Sequence, residues 1–230
     1  MNEDRVRFVL DRLAHHAADG DVGAALCATA VEVLEVDGAG ISIHVASGMP
    51  YSLAAAGTDM ELIHELERTT GEGPCIDAFR SGEPTAEPDL EAGDAWPAFR
   101  SEALRTSARS VFGFPVRAAD GCVGALNLYS TKTGPLADRQ HDDALLIADL
   151  GSFAVLTSLA AGPWETDLGS IDDAFRGGDH VHLATGMVSV QSGIPIVDAL
   201  ARLRARAFAD ERSVADVAQD VVERRLRFDE

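Results

Sequence analysis

Lysine is almost absent from this 230-residue chain. Lys132 is the only one, and every other basic residue is arginine. Bases of either kind are scarce, 19 against 38 acids, which leaves a formal net charge of -19. A field of that sign repels nucleic acid unless basic residues are gathered somewhere. Cysteine is rare as well: Cys27, Cys75 and Cys122 lie far apart, and no CxxC pair occurs. Scattered thiols in odd number exclude a disulfide framework and a zinc site of the CxxC type, and they read as reduced, cytosolic thiols. Long hydrophobic runs are missing. The most apolar stretch, 145–162, contains Asp149 and barely reaches spanning length, so it reads as a buried or interface helix. Residues 1–5 show no cationic start followed by an apolar run, hence no signal peptide, and a soluble, cytoplasmic protein is expected. HExxH, a Walker loop, GxSxG and a dinucleotide fingerprint are all lacking. Gly71-Glu72-Gly73 is too short and too acidic to cradle a phosphate. No catalytic constellation or metal cluster stands out, so the chain is read as a non-enzyme.

What is present is an ordinary globular composition, 46% hydrophobic and 25% charged, on a length that suits one large domain or two small ones at about 100–200 residues each. Val6, Val9, Leu10, Leu13, Ala14 and Ala17 recur at helical spacing, and a second helix is predicted over 22–36. The period then changes to two in Ile41-Ser-Ile43-His-Val45, and Gly48-Met-Pro50 turns the chain into Tyr51–Ala55, a predicted hairpin. A short helix fits 60–68. Residues 71–97 are rich in glycine, proline and acids, with short ordered pieces such as 76–80. Two further strands, 110–116 and 124–129, are joined by a turn at Asp120-Gly121, and a long helix is predicted from Asp138 to Ala160. The sum is an α+β sandwich, an antiparallel sheet with helices at both ends of the chain.

Gly162-Pro163 is predicted to break the long helix and mark a boundary. Beyond it the chain reads as three helical segments: about 168–192, weakened at Gly177-Gly178; a second opened by Pro195; and a third opened by Ser213-Val-Ala-Asp216, a weak capping box. Three helices in so short a stretch make a small core that gains from pairing with a second copy. Residues 163–230 carry eight arginines and thirteen acids, a net of -5, which leaves -14 to residues 1–162. Between 180 and 228, seven arginines meet six acids, the one place where arginine is concentrated.

The stretch Gly71-Glu-Gly-Pro-Cys-Ile-Asp-Ala-Phe79, then Trp96-Pro-Ala-Phe99, Ser110–Val116 and Gly124–Tyr129, resembles a GAF sensory domain of the type found in actinobacterial regulators. Residues 180–188, 198–207 and 214–222 resemble an ANTAR domain, with three blocks in that family's order and spacing. Together the two likenesses imply a GAF-like sheet with flanking helices over residues 1–162, followed by a small three-helix ANTAR domain over 163–230. They also imply a signal-dependent transcription antiterminator, acting as a dimer on paired hairpin loops of nascent RNA. Many ANTAR domains carry lysine where this chain has Thr185, and a basic residue where it has Gln191. That moves the expected RNA contacts toward the second segment.

The residues themselves leave alternatives open. At 100° per residue, Arg202 and Arg206 share one flank of the second segment, and Arg204 lies on the other. Like charges at i,i+4 oppose a helix by a few tenths of a kcal/mol, which a polyanion would reverse through phosphate contacts. Equally, Asp198 can pair with Arg202 on a solvated face. The expected RNA contacts are Arg202, Arg204, Arg206, Arg212 and Thr185. Arg224, Arg225 and Arg227 close the last helix, where the helix dipole favours cations whatever the function. Ala184, Gly186, Ala199 and Ala207 suit close helix packing.

A pocket for a small molecule of unknown identity is expected around Cys75, Phe79, Trp96, Phe99 and Phe114. Cys75 reads chiefly as a packing residue, because the acidic neighbours Glu72 and Asp77 would raise its pKa and oppose a redox role. His44 alternates with apolar positions and carries no haem prediction. Two other functions stay in view. One is a DNA-binding helix-turn-helix, opposed by Asp216, Asp220 and Glu223 on the recognition helix. The other is a dimerising ligand sensor that acts through a protein partner.

Overall fold

A computed structural model of the chain describes residues 3–17, 21–44, 50–118, 121–165, 180–181 and 183–228, with side chains left out between 156 and 165. Helices α1 (Glu3–His16) and α2 (Val22–Leu34) lead into strands β1 (Gly38–His44) and β2 (Pro50–Ala56). Helices α3 (Met60–Thr70) and α4 (Pro74–Ser81), strand β3 (Thr85–Glu87) and helix α5 (Pro97–Ala103) follow. Strands β4 (Ser110–Ala118) and β5 (Gly121–Ser130) then precede helix α6 (Asp138–Glu165). Three helices close the described chain: α7 (Leu183–Ser192), α8 (Ile196–Ala209) and α9 (Val214–Val222).

The five strands form one antiparallel sheet in the order β2-β1-β5-β4-β3. Both expected strand pairs are present as hairpins. The edge strand β3 was not foreseen; its three residues lie in the glycine- and proline-rich stretch, too short to show a period.

Strand residues alternate between the two sheet faces, and here the faces differ in kind. Ile41, Phe112, Phe114, Val116, Leu126 and Leu128 point to one side and join Leu26, Ala30, Leu34, Ile147 and Val155 of α2 and α6 in the largest apolar cluster. The other side carries Gly40, Ser42 and His44 of β1, Gly113 of β4, and Ala125, Asn127 and Tyr129 of β5, beneath α3, α4 and α5. Glycine there has a steric cause. A Cβ on Gly40 would lie 2.4 Å from His64, and one on Gly113 would lie 2.3 Å from the carbonyl of Pro74. The polar face is therefore the face that helices approach most closely.

Local chemistry fixes the element ends. Asp21 accepts the Ala24 N–H at 3.0 Å and opens α2. At the other end of α2, the Gln140 amide of α6 donates to the Leu34 carbonyl at 2.5 Å. Arg5 of α1 grips the buried Asp143 of α6 with two nitrogens. Ser213 caps α9 by accepting the Asp216 N–H at 3.0 Å, as its sequence predicts.

Two expectations need correction. Helix α6 does not stop at Ala160: it runs through Gly162-Pro163 to Glu165. Proline deletes one backbone donor and crowds the carbonyl four residues back, and so close to the terminus that removes little of the helix. The first C-terminal segment, expected from Leu168, falls largely on residues 166–179, outside the described residues; its described helix is α7. Around α7, α8 and α9 lies a separate apolar cluster that includes Val188, Leu203, Val217 and Val221. Gly186 is not part of that packing, since a Cβ there would meet nothing within 4 Å. No single helix among the described residues is long and apolar enough to cross a membrane.

Phe114 is fully buried under the edge of His141, with ring centroids 5.2 Å apart. Phe114→Ala is expected to lower unfolding free energy by about 3–5 kcal/mol in urea titration. A loss below about 1 kcal/mol would mean that this cluster does not carry the fold.

Candidate functional site

Helix α3 is the centre of the candidate site because both of its sides are used. Met60, Ile63, His64 and Glu67 recur at i, i+3, i+4 and i+7, and all four are buried toward the sheet. Two of them are polar, which burial permits only if their groups find partners. Glu67 finds two. Its Oε1 accepts the Cys75 backbone N–H at 2.8 Å, and its Oε2 accepts from the Asn127 amide at 2.5 Å. The first bond satisfies an otherwise unpaired N–H in the opening turn of α4. Gly73 leaves room for it, since a Cβ there would lie 2.5 Å from the Glu67 side chain.

His64 pairs through Nδ1 with Ser52 Oγ of β2 at 3.0 Å, and its ring covers Gly40. His44, at the end of β1, stacks on Phe79 of α4 with ring centroids 4.1 Å apart and planes 16° from parallel. Its Nε2 lies 3.5 Å from Ser42 Oγ. The Cys75 thiol packs against Glu67, Ser42 and Asn127. Three buried atoms in this cluster, His44 Nδ1, His64 Nε2 and Asn127 Oδ1, have no hydrogen-bond partner among the described residues. Buried polar groups of this kind are seldom left unpaired, which singles these three atoms out as candidate polar contacts.

Burial dominates the electrostatics. It pushes the Glu67 carboxyl up to about 7, against the hydrogen bonds from Cys75 and Asn127. It holds His64 down at about 3, helped by the charges of Arg68 and His44, and holds His44 at about 4, helped by Arg80. Both histidines are therefore neutral, able to donate or accept. Burial, and then Glu67, raises the Cys75 thiol well above its usual range. The direction matches the sequence reading, but the cause does not: Glu67, eight residues away, acts on the thiol, rather than Glu72 or Asp77. Among the described residues no group of three or more His, Cys, Asp or Glu side chains could hold a metal ion.

The five expected pocket residues do not meet. Cys75 and Phe79 belong to the cluster just described. Trp96 and Phe99 sit in a neighbouring apolar group with Met60, Leu90 and Tyr129, and Trp96 Nε1 donates to Asp77 of α4 at 2.7 Å. Phe114 lies on the opposite face of the sheet, because period two places it beside Phe112 rather than Gly113. The residues at the centre of the site, His64, Glu67 and Asn127, were missed. Their signal was available: two polar residues in the buried stripe of α3, and an asparagine amid the apolar run of β5.

The acidic motif around Gly71 also proves structural. Glu72 Oε2 accepts the N–H groups of Ala98 and Phe99 at 2.9 and 3.4 Å, closing the start of α5. Gly71 ends α3 in a left-handed conformation (φ 73°).

The opposite side of α3 faces the C-terminal helices. Arg204 Nε of α8 donates to the Arg68 carbonyl at 3.0 Å, and the Val214 N–H of α9 donates to Thr69 Oγ1 at 3.2 Å. Burial, and then the charge of Arg80, lowers the Arg204 pKa to about 10. Of the other expected RNA contacts, Arg206 pairs with Asp210 at 2.6 Å and Arg212 with Asp220 at 2.7 Å, both exposed. Arg202 is exposed, with no ion-pair partner among the described residues; the pairing with Asp198 is not made. Thr185 is buried, 5% exposed, and donates to the Val181 carbonyl at 2.6 Å.

The fold is one antiparallel sheet flanked by helices on two unlike faces, one of them enclosing buried polar groups. The GAF domain family model matches residues 16–155, and the chain belongs to that family. Solved structures with the same fold include two GAF domains of phosphoenolpyruvate-protein phosphotransferases. The one from Coxiella burnetii is 16% identical with TM-score 0.56, and the one from Acinetobacter is 14% identical with TM-score 0.53. Each alignment covers 70% of this chain and 99% of the other. The chromophore-binding domain of a bacteriophytochrome from R. palustris is 9% identical with TM-score 0.51, covering 69% of this chain and 61% of that one. At such identities these likenesses establish the fold alone. No curated protein matches the chain.

The raised Glu67 and lowered histidines have opposite consequences for stability. The contribution of a neutral Glu67 is complete below its ordinary value of 4.5 and is lost as pH rises through about 7. That loss amounts to about 3 kcal/mol. The contribution of neutral His64 and His44 is complete above 6.5 and is lost as pH falls toward about 4 and 3. Denaturant titrations of the parent and Glu67→Gln should show the variant gaining about 2–3 kcal/mol on the parent between pH 5 and pH 8, a difference in which the histidine contributions, common to both proteins, cancel. Absence of that gain would remove Glu67 as the source of the loss.

Proposed function

We propose that the chain is a signal-responsive regulator in which the GAF domain controls RNA binding by the C-terminal helices. The RNA target is the hairpin loops of nascent transcripts, and the outcome is transcription antitermination. One observation carries the reading: the arginine-bearing helix α8 packs through Arg204 on α3, the helix that also encloses the buried polar cluster. A molecule accepted by His44, His64 and Asn127 would thus act on the element that touches the arginines. The ANTAR-like order of blocks in α7, α8 and α9, and the concentration of arginine there in an otherwise acidic chain, supply the choice of RNA. Arg202 is exposed and makes no ion pair among the described residues, and Arg206 and Arg212 join it once their carboxylate partners exchange for phosphate. Thr185 acts through packing instead.

The working form is a cytoplasmic homodimer that binds rather than catalyses. Exposed Leu183, Val190, Ile196 and Val197 of α7 and α8 favour self-association.

Arg202→Ala together with Arg206→Ala should weaken binding to a paired-hairpin RNA about tenfold and lower the salt dependence by one to two ion equivalents. Gel shift across a salt series, with duplex DNA as competitor, checks this. Unchanged RNA affinity would move the binding surface elsewhere, and preference for the duplex would replace RNA with DNA.

A further inference from the structure

Helix α3 ends with carbonyls that have no partner within the helix, and α9 begins with N–H groups in the same position. Across the boundary between the GAF domain and the C-terminal helices, these two needs are met reciprocally. Arg204 of α8 donates to the last-turn carbonyl of Arg68, at the negative end of the α3 dipole. Thr69 of α3 accepts the first-turn N–H of Val214. Gly71 makes the approach possible, since a Cβ there would lie 2.7 Å from the Arg204 guanidinium.

The rest of the boundary is loosely filled. Leu62 and Leu66 of α3 face Ala207 and Phe208 of α8 across a cavity of about 430 Å³. Leu62 stays 50% exposed and Phe208 61% exposed. No carboxylate ion-pairs with Arg204 among the described residues; its partner is a neutral carbonyl. A phosphate offers that guanidinium a full negative charge and can displace the carbonyl.

We propose that this reciprocal capping is an autoinhibitory latch, in which α3 holds Arg204 and the α8–α9 turn away from polyanions. RNA bound through Arg204 excludes the docked state, because Arg204 cannot reach both the Arg68 carbonyl and a phosphate; Arg202, Arg206 and Arg212, exposed in the docked state, give only the weaker binding on their own. The proposal rests on the RNA-binding reading above and adds how the unbound state is kept. The latch and the polar cluster share α3: His64 and Glu67 lie on one side, Leu62, Leu66 and Thr69 on the other. A shift of that helix is felt on both.

The test uses the full chain with Leu62→Cys, Phe208→Cys and Cys122→Ser, closed by a cleavable bismaleimide across the cavity. The two remaining cysteines, Cys27 and Cys75, are buried. Closure within one chain should weaken binding to a paired-hairpin RNA about tenfold or more, and cleavage of the linker should restore it. Thr69→Val, which keeps the shape and deletes the acceptor, should bind the same RNA several-fold more tightly than the parent. Equal affinity before and after closure, failure to close within one chain, or a Thr69→Val protein that binds no more tightly would each overturn the latch. If open protein and Thr69→Val alike bind no hairpin at low salt, the RNA reading itself falls, and the inhibitory role falls with it.

Discussion

A short helix has as many unpaired end groups as a long one, and the site side of this sheet is built from short helices. Their ends are closed by side chains from neighbouring elements. Glu67 of α3 closes the start of α4, Glu72 closes the start of α5, Thr69 closes the start of α9, and Arg204 of α8 closes the end of α3. Three of the four involve α3, and Glu67 also reaches β5 through Asn127. Apolar burial of Met60 and Ile63, with Leu66 packed beside them, seats the helix, and its capping bonds fix the neighbouring helix ends to it. Position and protonation are therefore coupled here. A carboxyl that titrates near neutrality is also the hydrogen-bond acceptor that fixes α4.

The two faces of the sheet divide the labour. One face is filled by Ile41, Phe112, Phe114, Leu126 and Leu128 and supplies the core. The other is lined by glycine, serine, histidine and asparagine, which supply little apolar burial but can be approached closely by helices. Such a face needs the opposite one to be well packed. The bidentate grip of Arg5 on Asp143 and the Gln140 cap on α2 lock the core-side helices in place.

Much of this architecture was legible in the sequence. The period-two residues at 41–44 and 124–129 and the Ser213 cap each reflect local chemistry that a short window contains. The site was legible only in part. Cys75 and Phe79 stand where the motif around Gly71 suggests, whereas Phe114 shares an apolar run with Phe112 and Val116 and so follows them to the core face. His64, Glu67 and Asn127 escaped because they come together only in the fold; Glu67 and Asn127 are 60 residues apart. The pairing of Arg204 with a backbone carbonyl escaped for the same reason. A guanidinium on a helix flank looks solvated until the opposing helix is in place. Conversely, Glu72 looked like an obstacle to anion binding and is instead the cap of a helix.

Helix α6 has 28 residues, and Val155 is the last of its described side chains in the core cluster. At 1.5 Å per residue, the ten residues beyond it extend the axis by a further 15 Å or so. A tilt of about 10° at Val155 displaces the helix end by roughly 2.5 Å on this geometry, so the way α6 seats on the sheet sets where Glu165 lies.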